Sequence, residues 1–182
     1  MRYKRNIILI GFMGSGKTSI GKRLSLKLKW EFIDTDDFIE KREGMSINEI
    51  FAEKGEAYFR GLERELCSRY REPKNKIIAT GGGVIKNRDN VADLKSGGII
   101  FYLKSDPKTI AHNLRNDDTR PLLRGGDKLE KITELMGQRE PMYEEYADIT
   151  VNVADLNMED TLNLIEKEYK NYENKHNKRT KH

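Results

Sequence analysis

The chain has 182 residues, of which 36% are hydrophobic and 35% charged, so it can bury one sizeable core but is too short for two ordinary domains. No run of about 18 apolar residues is present, so the sequence predicts no membrane-spanning segment. The net charge of +4 is located in residues 167–182, which carry six basic and two acidic side chains, so the basic pI does not indicate a nucleic-acid partner.

The cysteine content and the C-terminal segment bear on the compartment and on the extent of the domain. Cys67 excludes an internal disulfide and favours a reducing compartment, so we expect a cytoplasmic protein. The last ten residues contain no aliphatic side chain, and the segment is rich in Lys and Asn. We therefore expect one domain over residues 1–170, followed by a disordered basic tail over residues 171–182.

Short β-rich runs alternate along the chain with longer segments of helical periodicity. Strands are predicted at residues 5–10, 31–34, 76–80, 98–103 and 148–153. Helices are predicted at residues 17–28, 37–42, 46–70, 88–96, 106–115, 127–146 and 158–170. Continuous apolar runs such as Ile7 to Ile10 are typical of strands covered on both faces. We therefore expect an α/β fold, a three-layer sandwich with a five-stranded parallel sheet, whose ligands bind beyond the carboxyl ends of the strands.

A complete G-x-x-x-x-G-K-[ST] motif runs from Gly11 to Thr18, directly after the first predicted strand and before the first predicted helix. Glycines let backbone N–H groups point at phosphate oxygens, and the following helix adds its positive end. Lys17 is expected to reach the β- and γ-phosphates of ATP, and the Thr18 hydroxyl to bind Mg²⁺. The bland alternative is a tight strand–turn–helix junction. The predicted nucleotide-binding residues are Gly14, Ser15, Gly16, Lys17, Thr18 and Ser19.

The motif itself does not identify the class of nucleotide enzyme. GTPases normally read guanine with Asn-Lys-x-Asp, but no Asn-Lys pair in this chain has Asp two positions after the Lys. Motor and assembly ATPases normally need an acidic strand end and a large coupling domain, whereas the third predicted strand ends in Thr80 followed by glycines. These features favour a compact kinase.

An acidic turn, Asp34-Thr35-Asp36-Asp37, ends the second predicted strand. Asp34 is placed to hold the water shell of Mg²⁺, and Asp36 to bind hydroxyl groups of an acceptor. The same turn would equally serve as a cap for the helix predicted at residues 37–42, and taken alone this is the simpler interpretation.

Two further features bear on the second substrate, one within a predicted helix and one directly after a predicted strand. Arg60 lies off the apolar stripe of its predicted helix, with Glu63 one turn on, which in isolation indicates a solvated ion pair. Gly81, Gly82 and Gly83 follow the third predicted strand, where they suit either close approach of a ligand to the backbone or a tight turn with positive φ.

In order and spacing, these motifs resemble those of the shikimate kinases, P-loop small-molecule kinases with a nucleoside-monophosphate-kinase-like fold. The resemblance covers residues 5–153 and is carried by Gly14–Gly21, Phe32–Asp36, Phe59-Arg60, Gly81–Gly83, Arg120-Pro121-Leu122-Leu123 and Arg139-Glu140-Pro141-Met142-Tyr143. It implies transfer of the γ-phosphoryl group of ATP to the 3-hydroxyl of shikimate, in a protein that is usually a monomer.

The resemblance also implies roles for individual residues. Asp36 would bind ring hydroxyls, while Arg60 and Arg139, with Gly82, would hold the carboxylate and ring, as bidentate guanidinium chemistry suits. Arg120 would lie in a lid over about residues 115–126 and touch the phosphates of ATP. The implied acceptor residues, in a segment over about 34–61 and beyond it, are Asp36, Arg60, Gly81, Gly82, Gly83 and Arg139. The implied catalytic residues are Lys17, Asp36 and Arg120.

The base of the nucleotide is the part that the motifs specify least. Arg115 is the candidate for stacking on adenine, and residues 154–157 contain no arginine for a further contact. The alternatives to this assignment are a nucleoside-monophosphate kinase and a nucleotide-binding module without catalytic activity.

Overall fold

A computed structural model describes residues 4–116 and 127–179 of the chain. Five strands form one sheet in the order β2-β3-β1-β4-β5, and each neighbouring pair is parallel. The strands are β1 (Asn6–Ile10), β2 (Glu31–Asp34), β3 (Lys76–Ala79), β4 (Gly98–Lys104) and β5 (Ile149–Asn152). The expected five-stranded parallel sheet is therefore confirmed.

Eight described α-helices connect and cover the strands. They are α1 (Lys17–Leu28), α2 (Thr35–Glu43), α3 (Ile47–Lys54), α4 (Glu56–Ser68), α5 (Arg88–Gly97), α6 (Pro107–Asn113), α7 (Lys128–Tyr146) and α8 (Met158–Arg179). A short 3₁₀ turn, Val84–Lys86, lies between β3 and α5. None of the helices described is long and apolar enough to cross a bilayer.

The central strand β1 is buried on both faces, and its side chains alternate between two cores. Ile8 and Ile10 belong to a core built mainly with α3 to α7. Ile7 and Leu9 belong to the opposite core, which α1 and α8 complete. Helices thus cover both faces of the sheet, which confirms the three-layer sandwich.

The helix predicted over residues 46–70 is two helices, so that prediction is wrong in this respect. Its start is confirmed, because Ser46 and Glu49 form a capping box at the beginning of α3. Gly55 then interrupts the helix with φ 84° and ψ 165°, outside the helical region, and serves as both the end of α3 and the start of α4. The apolar periodicity continues across this break, which is why the pattern did not reveal it.

Helix α8 continues to Arg179, into the segment for which the sequence predicts disorder. Tertiary contacts account for the difference. Tyr172 packs against the core on the α1 side of the sheet and stacks on His176, with ring centroids 4.0 Å apart. Glu173 forms an ion pair with Arg5 at 3.8 Å. The segment is polar in composition, but Tyr172 gives this part of α8 an apolar contact with the core.

A test of the packing compares two helical glycines. A methyl group at Gly97 would lie 1.9 Å from the carbonyl oxygen of Tyr70, where α5 meets the end of α4, whereas a methyl at Gly137 in α7 would meet nothing within 4 Å. We expect Gly97→Ala to lower the free energy of unfolding by about 3 kcal/mol, because backbone must move. Gly137→Ala should raise it by about 0.5–1 kcal/mol. Urea unfolding measures both, and similar values for the two variants would contradict this account.

Candidate active site

A cleft of about 730 Å³ lies at the carboxyl ends of the central strands. Its lining brings together the glycine-rich loop, both candidate aspartates and part of the glycine segment after β3. The residues are Met13, Gly14, Gly16, Lys17, Thr18, Ser19, Asp34, Asp36, Thr80, Gly82, His112, Asn113, Leu114, Arg115, Asn116 and Met158. Arg120 and most of the predicted lid lie outside the described residues.

The loop between β1 and α1 has the shape that its motif predicts. Gly14 and Gly16 have φ values of 77° and 90°, which a residue with a Cβ adopts only at a cost. The Lys17 ammonium group is buried and donates hydrogen bonds to the carbonyl oxygens of Gly11 at 2.9 Å and Phe12 at 2.8 Å. Lys17 therefore holds the loop closed on itself at the first turn of α1.

Ser15 and Ser19, both predicted to contact the nucleotide, lie on opposite sides of the loop. Ser19 lines the cleft. The Ser15 side chain is only 3% exposed and is absent from the lining, because it is turned under the loop toward Gly11. The structure therefore leaves only the backbone of Ser15 for contact with a ligand in the cleft.

Thr18 and Asp34 form an oxygen pair at the floor of the cleft. The Thr18 hydroxyl donates a hydrogen bond to Oδ2 of Asp34 at 2.6 Å. One hydroxyl and one carboxylate are hard oxygen donors, and Mg²⁺ in nucleotide sites typically takes only one or two protein ligands and keeps several waters. The pair thus fits Mg²⁺, although no cluster of three or more acidic, His or Cys side chains suited to a metal occurs among the described residues.

The acidic turn after β2 caps α2 and also brings a carboxylate oxygen to the cleft. Oδ1 of Asp34 accepts hydrogen bonds from the backbone N–H groups of Asp36 at 3.1 Å and Asp37 at 3.4 Å, and so caps α2. Its other oxygen faces Thr18. Capping and metal binding are therefore not alternatives here, because the two carboxylate oxygens point in different directions.

Arg60 is held in place by two carboxylates. It donates to Oε2 of Glu63 at 2.9 Å and to Oε1 of Glu56 at 3.1 Å. Glu63 is only 1% exposed, and burial raises the pKa of its carboxyl above the usual range while Arg60 opposes that effect. The solvated ion pair considered from the sequence is thus wrong, because the acidic partner is buried.

The glycine segment after β3 touches both candidate acceptor-binding side chains. A methyl at Gly81 would come within 2.7 Å of Oδ1 of Asp36, and one at Gly83 within 2.8 Å of both terminal nitrogens of Arg60. None of the three glycines has a positive φ, so the tight turn with positive φ is excluded. Gly81 and Gly83 are glycines because protein side chains approach the backbone closely at these two positions.

Arg139 joins this segment from the other side. It is 7% exposed, lies over the ring of Phe12 at 5.7 Å and contacts Tyr143, whose hydroxyl donates to the carbonyl oxygen of Gly82 at 2.6 Å. Arg139 is therefore not a solvent-exposed charge on the surface of α7. Arg60 and Arg139 lie beside the cleft, around the glycine segment, and do not belong to its lining.

The wall of the cleft beyond the loop is built by the end of α6 and the start of α8. Asn113 donates to the carbonyl oxygen of Gly14 at 2.9 Å, and a terminal nitrogen of Arg115 lies 2.5 Å from Nε2 of His112. Met158 completes this wall. Arg115, the candidate for the base, is thus at the cleft, while His112, Asn113 and Met158 carry no sequence signal that would have singled them out.

Comparisons with known proteins bear on this arrangement. The family model described as shikimate kinase matches residues 13–170. The chain belongs to the shikimate kinase family. It is 43% identical over 165 residues to a shikimate kinase of Caldanaerobacter subterraneus subsp. tengcongensis, covering 91% of this chain and 96% of that one. A shikimate kinase of Thermodesulfovibrio yellowstonii is 42% identical over 170 residues, covering 93% and 98%.

A solved structure gives the same family. The shikimate kinase from Acinetobacter baumannii in complex with shikimate superposes with a TM-score of 0.84 at 34% identity, covering 90% of this chain and 91% of that one. Membership of the family confirms the resemblance read from the six motifs. It does not by itself assign roles to Asp36, Arg60 or Arg139.

Two substitutions test whether Asp34 stabilises the fold as the side-chain cap of α2. Asp34→Ala removes the side-chain cap of α2 and should lower the free energy of unfolding by about 1 kcal/mol. Asp34→Asn should change it by less than about 0.5 kcal/mol, because asparagine caps helices as well as aspartate does. Urea unfolding of both variants checks this. Equal losses would show that Asp34 stabilises the fold through its charge and not through the cap.

Proposed function

We propose that this protein transfers the γ-phosphoryl group of ATP to the 3-hydroxyl of shikimate, giving shikimate 3-phosphate and ADP. The observation that carries the proposal is one cleft in which a complete phosphate-binding loop lies next to Asp36 and Gly82. Donor and acceptor elements meet there at the carboxyl edge of one sheet. Membership of the shikimate kinase family supports the choice of acceptor.

The donor side uses the loop and the first turn of α1. Backbone N–H groups of Gly14 to Lys17 and the positive end of α1 suit the β- and γ-phosphates. The Lys17 ammonium group donates to two carbonyl oxygens of the same loop. Its position and charge suit an interaction with the γ-phosphoryl group that is transferred. Thr18 and Asp34 would hold Mg²⁺, which when bound neutralises phosphate charge.

The acceptor side uses groups that α2, α4 and α7 bring to the glycine segment. Arg60 approaches Gly83 from α4, and Arg139 lies on α7 four residues before Tyr143, whose hydroxyl bonds to Gly82. Two guanidinium groups suit a carboxylate such as that of shikimate. Asp36 at the start of α2 suits the ring hydroxyls. With the acceptor fixed at both ends, its reactive hydroxyl is oriented toward the loop.

The main role that we assign to these residues is to position the two substrates. Phosphoryl transfer through a loose transition state needs little covalent help, so alignment and charge neutralisation dominate. Asp36 orients the attacking hydroxyl and accepts its proton late in the transfer. Arg120 in the predicted lid adds positive charge over the phosphates, a role that stays a prediction because it lies outside the described residues.

The setting of the enzyme is also part of the proposal. We expect a monomer in the cytoplasm that acts on a small molecule, with no nucleic-acid or membrane partner. Within residues 4–116 and 127–166 the basic and acidic side chains nearly balance, so the composition does not indicate a basic surface for binding nucleic acid or membrane.

A coupled assay of ADP release tests the proposal directly. Shikimate should give turnover with Mg-ATP, while AMP, CMP, UMP and dTMP should not, and EDTA should abolish the reaction. Lys17→Ala should lower kcat by about 10³-fold while the protein stays folded, because one charged donor to the phosphoryl group is lost. Turnover of a monophosphate in place of shikimate would make the protein a nucleoside-monophosphate kinase. ATP binding without ADP release would make it a binding module.

The acceptor role of Arg139 predicts a split between the two substrates. Arg139→Ala should raise KM for shikimate about 100-fold, because a charge-assisted bidentate contact is lost, and should change KM for ATP less than about threefold. Arg23→Ala, on the exposed side of α1, is the matched control and should change neither constant. Equal effects of Arg139→Ala on both substrates would refute the assignment.

A further inference from the structure

Tyr143 lies at the junction of α7 and the glycine segment, and the chemistry above does not use it. It is 1% exposed, and its ring stacks on that of Tyr102 with centroids 5.1 Å apart and planes 18° apart. Its hydroxyl donates a hydrogen bond to the carbonyl oxygen of Gly82 at 2.6 Å. The stacked rings fix where that hydroxyl can lie.

Arg139 precedes Tyr143 by four residues, so the two side chains lie on the same face of α7. Arg139 lies close enough to influence the phenol, because burial raises the pKa of the Tyr143 hydroxyl and the positive charge of Arg139 opposes that rise. A phenol has one donor and can accept as well, whereas a guanidinium only donates. Any hydrogen bond between the two side chains must therefore run from Arg139 to the phenol oxygen, while the Tyr143 hydroxyl itself donates to Gly82.

We propose that Tyr143 is the positioning residue of the acceptor site, which fixes Arg139 and the Gly82 peptide relative to each other without neutralising the arginine. The proposal rests on the acceptor role given above to Arg139 and Gly82.

The charge of Arg139 is the physical reason why a tyrosine suits this position. Arg60 is anchored by two carboxylates, Glu63 and Glu56, which compensate much of its charge. Within residues 4–116 and 127–176, by contrast, no carboxylate forms an ion pair with Arg139. A neutral phenol holds the guanidinium in place and leaves its positive charge for an anionic ligand.

The bond to Gly82 has a second effect. A trans peptide is planar, so the hydrogen bond to the Gly82 carbonyl also fixes the direction of the N–H of Gly83. Gly83 touches the terminal nitrogens of Arg60. Tyr143 thus links the arginine of α7 to the backbone against which the arginine of α4 packs.

The experiment compares Tyr143→Phe with Tyr102→Phe. Both changes remove one hydroxyl from a buried, stacked tyrosine, but the charges near the Tyr102 hydroxyl are those of Glu140 in α7 and Lys104 in β4, whereas the Tyr143 hydroxyl bonds to Gly82. Tyr143→Phe should raise KM for shikimate about tenfold, the effect expected for one hydrogen bond to a charged group. Its kcat and its KM for ATP should stay within about twofold. Tyr102→Phe should leave all three constants within the same range.

A second measurement does not depend on how much of a variant is folded. Each preparation is assayed with shikimate and with the analogue whose carboxylate is reduced to a hydroxymethyl group, and the ratio of the two kcat/KM values is taken. Tyr143→Phe should lower this preference for the carboxylate about tenfold, and should change it less than about twofold when Arg139 is already alanine.

The outcomes separate the two proposals. If Arg139→Ala lowers the preference but Tyr143→Phe does not, the positioning role of Tyr143 is wrong and the acceptor site stands. If Arg139→Ala itself leaves the preference unchanged, the assignment of the acceptor site fails, and the role of Tyr143 fails with it. An equal loss in Tyr143→Phe and Tyr102→Phe would show that stacking, and not the hydroxyl, is what matters.

Discussion

The proposed acceptor site depends on the close approach of side chains to the backbone at Gly81–Gly83. Asp36 reaches this segment from α2, Arg60 from α4 and Tyr143 from α7. The hydroxyl of Thr35 accepts a hydrogen bond from the N–H of Gly81 at 3.0 Å and ties the end of β3 to the start of α2. Three helices can converge on one peptide segment only because no Cβ atoms occupy the space between them.

The two arginines at this segment are held in opposite ways. Arg60 is fixed by a buried and an exposed carboxylate, so its geometry is firm and much of its positive charge is compensated. Arg139 is buried against an aromatic ring and a phenol, so its charge is less compensated. An anion bound between them would be oriented chiefly by the first and attracted chiefly by the second.

Much of this could be predicted from the sequence because the signals are local. The apolar run of β1, the loop from Gly11 to Thr18 and the capping box at Ser46 each specify their own structure. The break at Gly55 could not be predicted because the apolar periodicity continues across it. The helical segment after Lys170 could not be predicted because it depends on tertiary contacts. At the site, motif order predicted which residues meet, but not that burial of Glu63 would anchor Arg60. Tyr143 ends the motif that begins at Arg139, and the spacing of four residues is the sequence signal that places both side chains on one face of a helix.

Helix α8 has a consequence for the order in which the protein can fold. Its Tyr169 hydroxyl donates to the carbonyl oxygen of Arg5, and its ring meets that of Trp30, so the last helix covers the first strand. β1 precedes β3, β4 and α8 along the chain, so its surroundings are complete only when all three have been synthesised. The nascent chain therefore carries an apolar strand that stays partly uncovered until α8 has emerged, and exposed apolar surface of this kind favours aggregation.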